Sequence, residues 1–215
     1  MVGSFNQKAA APPEELKNSF LDAVEKDDRS VVDELLAKHP DALGWENSAG
    51  SNALDIAMIY HKVDLAKWLI DKGSDINHRD HDGWTPLIRA CDKDHPALVE
   101  ILIAKGADLE KRIISSEMTP LLVAGMMGRT ACAELLLKAG ASTDAEDNRG
   151  KTALRWAKGK GTEAVIRNFI DEREKKIQAE AAEKAALKVE LEGMSTKGID
   201  ADLRVRRPLT LNIKN

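Results

Sequence analysis

Aromatic side chains are scarce in this chain, in which Phe, Trp and Tyr together make up 4% of the residues. Proteins that bind single-stranded nucleic acid stack the bases on such side chains. The charge balance points the same way, because 36 acidic residues slightly outnumber 32 basic residues and the formal net charge is -4. A general nucleic-acid binder presents a strongly basic face. The composition therefore predicts that nucleic acid is not a partner.

Cysteines are also rare, and long apolar runs are missing. Cys91 and Cys132 both fall in apolar segments, which is typical of reduced thiols and not of a disulfide framework. No stretch of about 18 apolar residues occurs, so we expect no membrane-spanning helix and no membrane partner. The first residues contain no signal-peptide core, and position 2 is Val, so we expect neither secretion nor myristoylation. These features predict a cytoplasmic protein, although a periplasmic protein without its signal would share them.

The sequence does contain a repeat of about 33 residues. Gly50 and Gly83 lie 33 residues apart. Spacings of 33 or 34 recur in two further series: Asn52, Thr85, Thr119 and Thr152, and Gly73, Gly106 and Gly140. In a stacked-repeat protein each unit buries its apolar face against its neighbours. Such a stack offers a long binding surface and lowers the expectation of a deep catalytic cavity.

One unit shows the local structure that the repeat predicts. Asp82 and Gly83 form a turn signal, Thr85 is suited to capping a helix, and Pro86 is suited to the first helical position. Apolar residues at spacings of three and four then indicate two helices: Leu87, Ala90 and Cys91 in the first, and Leu98, Val99, Leu102 and Ile103 in the second. Gly106 follows as a helix-ending glycine. Each unit is therefore predicted to be a helix pair followed by an extended crossover.

These features resemble the ankyrin repeat, whose hallmark is Gly-x-Thr-Pro-Leu, an Ala-rich first helix, a Leu-rich second helix and Gly-Ala-Asp. Gly83–Leu87 with Gly106–Asp108 matches closely, and Thr119–Leu121 with Gly140–Ala141 is nearly as good. The resemblance implies an all-α ankyrin-repeat α-solenoid with hairpin-like fingers between the helix pairs. It also implies protein binding along the fingers and the concave side.

Phasing the motifs divides the chain into five ankyrin-like repeats and flanking segments. The repeats are predicted at about 14–46, 47–79, 80–113, 114–146 and 147–172, after a flexible N-terminal lead over 1–13. A projecting C-terminal helix is predicted over 173–193, where strong helix formers continue until Gly193. An extended basic tail is predicted over 194–215.

Two departures from the family pattern carry structural expectations. The His that follows Thr-Pro-Leu in the family is replaced throughout, so we expect its stabilising hydrogen bond to be absent; the residues there are Asp55, Ile88, Leu122 and Arg155. Glu117 stands where the turn glycine belongs, and its connector is one residue longer. Residues other than glycine resist positive φ, so we expect a different turn in this finger.

The candidate partner-binding residues follow from the phase of the fingers and first helices. They are Tyr60, His81, Trp84, Lys93, Ile113, Ile114, Met118, Met126, Met127 and Arg149. Trp and Arg are frequent at binding hot spots, and Met suits adaptable contact surfaces. Trp84 has an equally good structural interpretation, in which it packs on the next finger. Ile113 and Ile114 form either an exposed interface or a longer loop that folds back and buries them.

The end of the chain is basic and alternates apolar with polar residues, which is typical of a strand. The residues proposed for docking this tail onto another protein are Arg204, Arg206, Arg207, Leu209, Leu211 and Ile213. Disorder is the equally weighted alternative.

These patterns predict a non-catalytic protein–protein interaction module. We expect a monomeric adaptor or scaffold subunit that binds one or more proteins, within a larger assembly if the tail docks. The alternative is a dedicated inhibitor or immunity protein that blocks the active site of one enzyme. No cofactor or metal is expected: His78 and His81 lack a second Cys or His cluster, and we interpret them as solvated surface residues.

Overall fold

The computed structural model describes the backbone of residues 13–205 and the side chains of residues 13–189. All regular elements in this part are helices, which confirms the predicted all-α fold, and Glu146 and Thr152 form an isolated bridge. The α-helices are α1 (Glu14–Glu25), α2 (Arg29–Lys38), α3 (Ala53–Ile59), α4 (Val63–Asp71), α5 (Pro86–Asp92), α6 (Pro96–Ala104), α7 (Pro120–Met127), α8 (Thr130–Lys138), α9 (Ala153–Trp156) and α10 (Gly161–Val205). A short 3-10 helix, Pro40–Gly44, follows α2.

Four of the first helices begin at the repeating polar residue. The side chains of Asn52, Thr85, Thr119 and Thr152 each accept a hydrogen bond from the backbone N–H three residues further along, at the start of α3, α5, α7 and α9. Such caps satisfy backbone donors that have no partner inside the helix. The series that revealed the repeat in the sequence is therefore a series of helix caps.

The helix pairs stack in chain order within a compact unit that ends at Asn168. The first helices α1, α3, α5, α7 and α9 each pack on the next, and the second helices α4, α6 and α8 do the same. Leu54, Leu87 and Leu121 lie at matching positions of successive first helices and are buried. Burying one large apolar side chain contributes about 1.5–3 kcal/mol to the free energy of unfolding. The stacking of the helices is therefore the main contribution to the stability of the fold.

The loops that precede the first helices are linked to one another at their tips. We call them finger 2 (residues 45–52), finger 3 (residues 72–85), finger 4 (residues 105–119) and finger 5 (residues 139–152). The ladder of backbone hydrogen bonds runs from His81 N to Ala49 O at 3.0 Å, from Ile114 N to Asp82 O at 2.8 Å, and from Asn148 N to Ser116 O at 3.1 Å. The fingers therefore form a continuous hydrogen-bonded wall.

Finger 4 has the different turn that its sequence predicts. In fingers 3 and 5 the side chains of Asp80 and Asp147 each accept two backbone hydrogen bonds, whereas finger 4 has Ile113 in that place. Glu117 N donates to Ile113 O, which makes this turn one residue longer than its counterparts. Glu117 nevertheless adopts a φ of 56°, close to the 85° of Gly83, so a glycine is not required there.

The C-terminal helix corrects the predicted boundary at Gly193. Helix α10 runs without interruption from Gly161 to Val205, so the segment from 194 to 205 is helical and not extended. A glycine within a helix costs only about 1 kcal/mol relative to alanine, and the next proline is Pro208. Every side chain from Asp171 to Val189 is exposed. No helix of the described segment combines the length and apolar character needed to cross a membrane.

The predicted lead over 1–13 lies outside the described residues, except for Pro13. The same holds for residues 206–215 of the predicted tail.

A tight contact at Gly125 leads to the first testable prediction. A Cβ atom at this buried position of α7 would lie 2.7 Å from the carbonyl oxygen of Ala153, at the start of α9. Because that oxygen belongs to the backbone, Gly125→Ala must displace α9, and we expect a loss of about 2 kcal/mol in unfolding free energy. Chemical denaturation measures this loss. Gly44→Ala is the control, since no atom lies within 4 Å of its added Cβ; an equal loss there would contradict the explanation.

Candidate functional site

A pocket of ≈ 430 Å³ lies between fingers 3, 4 and 5 and helices α7 and α9. Its volume lies within the range of about 300–1,000 Å³ that is typical of ligand pockets. The lining residues are Trp84, Asp92, Ile113, Ser115, Ser116, Met118, Val123, Met126, Asp147, Asn148, Arg149 and Trp156. We call this feature the groove.

The groove has an apolar floor and two aromatic walls. Ile113, Met118 and Val123 are almost completely buried at its base, whereas Trp84 and Trp156 are half-buried at its sides. Met126 is also half-buried. Aromatic rings with partial exposure can bury a large apolar area when a partner arrives. This lining is therefore suited to burying an apolar side chain.

The Trp156 wall is held by a hydrogen-bonded carboxylate. The indole N–H of Trp156 donates to Asp147 Oδ2 at 2.9 Å, and Oδ1 accepts the backbone N–H groups of Arg149 and Lys151, both at 2.9 Å. Burial raises the pKa of Asp147, but these donors outweigh it and the pKa is lower than usual. Lys151 Nζ lies 4.0 Å from the centroid of the Trp156 ring. Asp147 is therefore a positioning group whose oxygens are both engaged.

The Trp84 wall is supported by Arg89, whose guanidinium lies 5.5 Å from the centroid of the Trp84 ring. The backbone N–H of Trp84 donates to Asp80 Oδ1 at 2.8 Å. Its indole N–H has no hydrogen-bond acceptor among residues 13–189. This wall thus presents both an apolar ring and a free donor.

The structure brings five of the ten predicted binding residues together in the groove. These are Trp84, Ile113, Met118, Met126 and Arg149. Tyr60, His81, Lys93, Ile114 and Met127 are at least partly exposed but do not line it. Their role in binding stays a prediction.

Ile113 and Met118 were predicted to contact a partner, but both are less exposed than that prediction requires. Each is only 5% exposed, so neither can project into a partner. Ile113 N donates to Met118 O at 3.1 Å, which draws the base of the longer turn together. Ile114 follows at the tip and is 61% exposed. Each of the two interpretations therefore holds for one residue: Ile113 is folded back and buried, and Ile114 faces solvent.

The predicted tail-docking residues cannot be placed. Arg206, Arg207, Leu209, Leu211 and Ile213 lie outside the described residues, and Arg204 is described only as part of the backbone of α10.

Sequence reasoning missed Trp156, which forms one wall of the groove. The signal was its phase, because Trp156 follows Thr152 by four residues, as Val123 follows Thr119. Val123 also lines the groove.

A buried polar network lies beside the Trp84 wall and corrects a second expectation. Asp55, at the position of the family His, is fully buried, and its Oδ2 lies 2.8 Å from His78 Nδ1. Arg89 Nε donates to Asp55 Oδ1 at 3.3 Å, and the same guanidinium pairs with Asp80. The hydrogen bonding expected to be lost at this position is therefore replaced by a network that joins two repeats. His78 is likewise half-buried and paired, not a solvated surface residue.

The network predicts a pH-dependent stability. The hydrogen bond to Asp55 is the main reason that the pKa of His78 rises from 6.5 to about 9, with a further contribution from Glu46 and opposition from burial. Protonated His78 therefore stabilises the fold fully below about pH 6.5, and this contribution disappears as the pH rises through about 9. We expect a loss of about 1–2 kcal/mol, since solvent screens the Glu46 contact.

Urea denaturation at pH 6, 7.5 and 9.5 tests this expectation. His78→Gln should flatten the decline in unfolding free energy, whereas the exposed His81→Gln should retain it. The same decline in the His78→Gln protein would show that another group is responsible.

Comparison with protein families identifies the repeats. Models of ankyrin repeats match three copies over residues 20–113 and one over residues 116–148. The fifth predicted repeat begins at residue 147, at the end of the matched segment. Its helices are α9, which packs on α7, and the start of α10.

Curated proteins with similar sequences include Notch receptors. The chain is 32% identical over 136 residues to neurogenic locus notch homolog protein 1 of Xenopus laevis, and 32% identical over 134 residues to the human protein of that name. It is 31% identical over 129 residues to human neurogenic locus notch homolog protein 2. The matches cover 62%, 62% and 60% of this chain but only 5% of each relative.

Proposed function

The chain belongs to the ankyrin repeat family, and from this premise we propose that it is a non-catalytic adaptor or scaffold that holds a protein partner in the groove. Ankyrin repeats are general protein–protein interaction modules, so a protein partner follows from the family. The observation that carries the choice of site is the groove itself, with its apolar floor and half-exposed Trp84 and Trp156. Hot spots of protein interfaces favour such Trp residues.

The hydrogen bonds that hold the groove also support a binding role. The finger ladder, the hydrogen bonds of Asp147 and the bond from Trp84 N to Asp80 hold the two walls before a partner arrives. A preorganised surface loses less conformational entropy on binding than a mobile one.

The absence of catalysis is part of the proposal. The carboxylate of Asp147 is fully engaged by donors, and Asp92 pairs with Lys93 at 3.2 Å, so neither is poised as a general base. The free, buried thiols of Cys91 and Cys132 support a reducing compartment, and we propose the cytoplasm.

An experiment with the native complex tests the role of the protein. The tagged full-length chain is purified from its native cells, and the mass and stoichiometry of the complex are measured. An adaptor or scaffold should give a stable complex of fixed stoichiometry in which any enzyme present keeps its activity. Loss of that activity on addition of the purified chain would instead establish an inhibitor. A chain recovered alone under native conditions would contradict the proposed role.

The tail is tested in the same complex. Removing residues 206–215 leaves the whole of α10 in place. Dissociation from the larger assembly, with groove binding retained, would assign the tail an anchoring role, whereas an unchanged complex would exclude one.

A further inference from the structure

We propose, building on the function above, that the partner segment in the groove is acidic and carries a large apolar side chain. The proposal combines the apolar floor with a cluster of cations beside the Trp156 wall. It specifies the chemistry of the partner, which the family alone does not.

The cations are concentrated in one segment. Between Asn148 and Thr162 the chain has five basic residues and no carboxylate: Arg149, Lys151, Arg155, Lys158 and Lys160. None of them forms a salt bridge within 4.0 Å in the part of the chain that the structure describes. Cations without a salt-bridge partner, on a protein with a net charge of -4, mark a local positive surface.

Three of these cations line the groove or contact Trp156. Arg149 lines it, and Lys151 Nζ lies over the Trp156 ring. Lys160 Nζ donates to the carbonyl oxygen of Trp156 at 2.6 Å. Positive charge therefore lies beside the Trp156 wall, where it attracts a carboxylate and raises its association rate.

The two carboxylates that line the groove, Asp92 and Asp147, keep their charge but are already engaged by donors of this chain. Both oxygens of Asp147 accept hydrogen bonds, and Asp92 pairs with Lys93. The free polar groups include two donors: the guanidinium of Arg149 and the indole N–H of Trp84, which donate to no described residue. Donors of this kind pair with carboxylate oxygens.

The occupant should bind through side chains and not by adding a strand. The ladder already uses the backbone N–H groups of His81, Ile114 and Asn148. The volume of ≈ 430 Å³ has room for one or two large side chains and not for a helix, whose diameter is about 10–12 Å. An apolar anchor on the floor with carboxylates on the rim satisfies both limits.

A polynucleotide is the other polyanion that a cation cluster could attract. The observations favour a peptide, because the floor formed by Ile113, Met118 and Val123 is apolar and buried. A phosphate backbone would gain nothing from this floor, whereas an apolar peptide side chain would be desolvated there.

A random dodecapeptide phage library, selected on the immobilised full chain, tests the proposal. Phage that also bind the Trp84→Ala/Met126→Ala protein are removed. We expect the enriched peptides to combine Asp or Glu with Phe, Trp, Leu or Met.

The affinity of a labelled enriched peptide is then measured by fluorescence anisotropy. Arg149→Glu should weaken its binding about fivefold to tenfold at low salt, and added NaCl should weaken binding to the native protein.

Lys138→Glu is the matched control, since it makes the same charge change at an exposed position of α8 outside the groove. It should change the affinity less than about twofold. Enrichment of basic or uncharged peptides, an unchanged affinity of Arg149→Glu, or no enrichment at all would overturn the proposal. So would polyuridylate that binds the groove as tightly as the peptide does and competes with it.

The native complex separates this inference from the proposed function. If Trp84→Ala/Met126→Ala releases the native partner but Arg149→Glu does not, the groove function stands and the acidic partner is excluded. If neither variant releases it, both proposals fail.

Discussion

Replacing Trp84 and Met126 together by alanine should raise the Kd for the native partner at least about thirtyfold, equivalent to about 2 kcal/mol or more. Both side chains line the groove and are half-buried in the free protein, so a partner would remove their remaining surface from water. The same half-exposure limits their contribution to folding. Isothermal titration calorimetry with the purified partner measures the affinity.

The control for this variant removes side chains of similar size from the second helices of the repeats. Trp68 on α4 is half-buried and has Lys72 Nζ 4.9 Å from the centroid of its ring, and Leu135 on α8 is also half-buried, but neither lines the groove. Trp68→Ala/Leu135→Ala should leave the Kd unchanged, and both double variants should melt at similar temperatures. Equal weakening by the control, or full affinity of the groove variant, would remove the groove from the binding surface.

Replacing Arg89 by methionine should lower the unfolding free energy by about 3–4 kcal/mol at neutral pH. The substitution leaves the fully buried carboxylate of Asp55 and the carboxylate of Asp80, which is 7% exposed as a residue, without their shared cation. Removing one partner of a buried ion pair costs this much because the remaining charge stays desolvated. Guanidinium chloride denaturation, followed by circular dichroism, measures the change.

Arg155→Met provides the comparison for Arg89→Met, because Arg155 is exposed and its side chain forms no salt bridge among the described residues. It should change the free energy by no more than about 0.5 kcal/mol. A small effect of Arg89→Met would mean that His78 alone compensates the charge of Asp55.

The repeat period and the helix caps could be predicted from sequence because each depends on local chemistry. Thr85 and Thr119 cap the helices that begin at the two Thr-Pro-Leu sequences. A hydroxyl that accepts a hydrogen bond from a backbone N–H three residues away needs no distant partner. The apolar spacing of three and four defines the buried faces in the same local way.

Contacts between repeats were harder to predict. Asp55 was expected to leave its position without a hydrogen bond, but its partners His78 and Arg89 lie 23 and 34 residues further along the chain. The different exposure of Ile113 and Ile114 depends on the turn of finger 4, from which Ile114 N donates to Asp82 O of finger 3. The persistence of α10 beyond Gly193 shows that one glycine is a weak stop signal when strong helix formers surround it.

Site-specific photo-cross-linking in the native cell tests the binding surface most directly. A photoreactive amino acid replaces Ser115, which is exposed at the groove, or Glu134, which is exposed on α8 outside it. A groove-bound partner predicts a covalent adduct of fixed mass with the probe at position 115 and little or none at position 134. Strong labelling from position 134, with none from position 115 while the complex remains intact, would contradict binding in the groove.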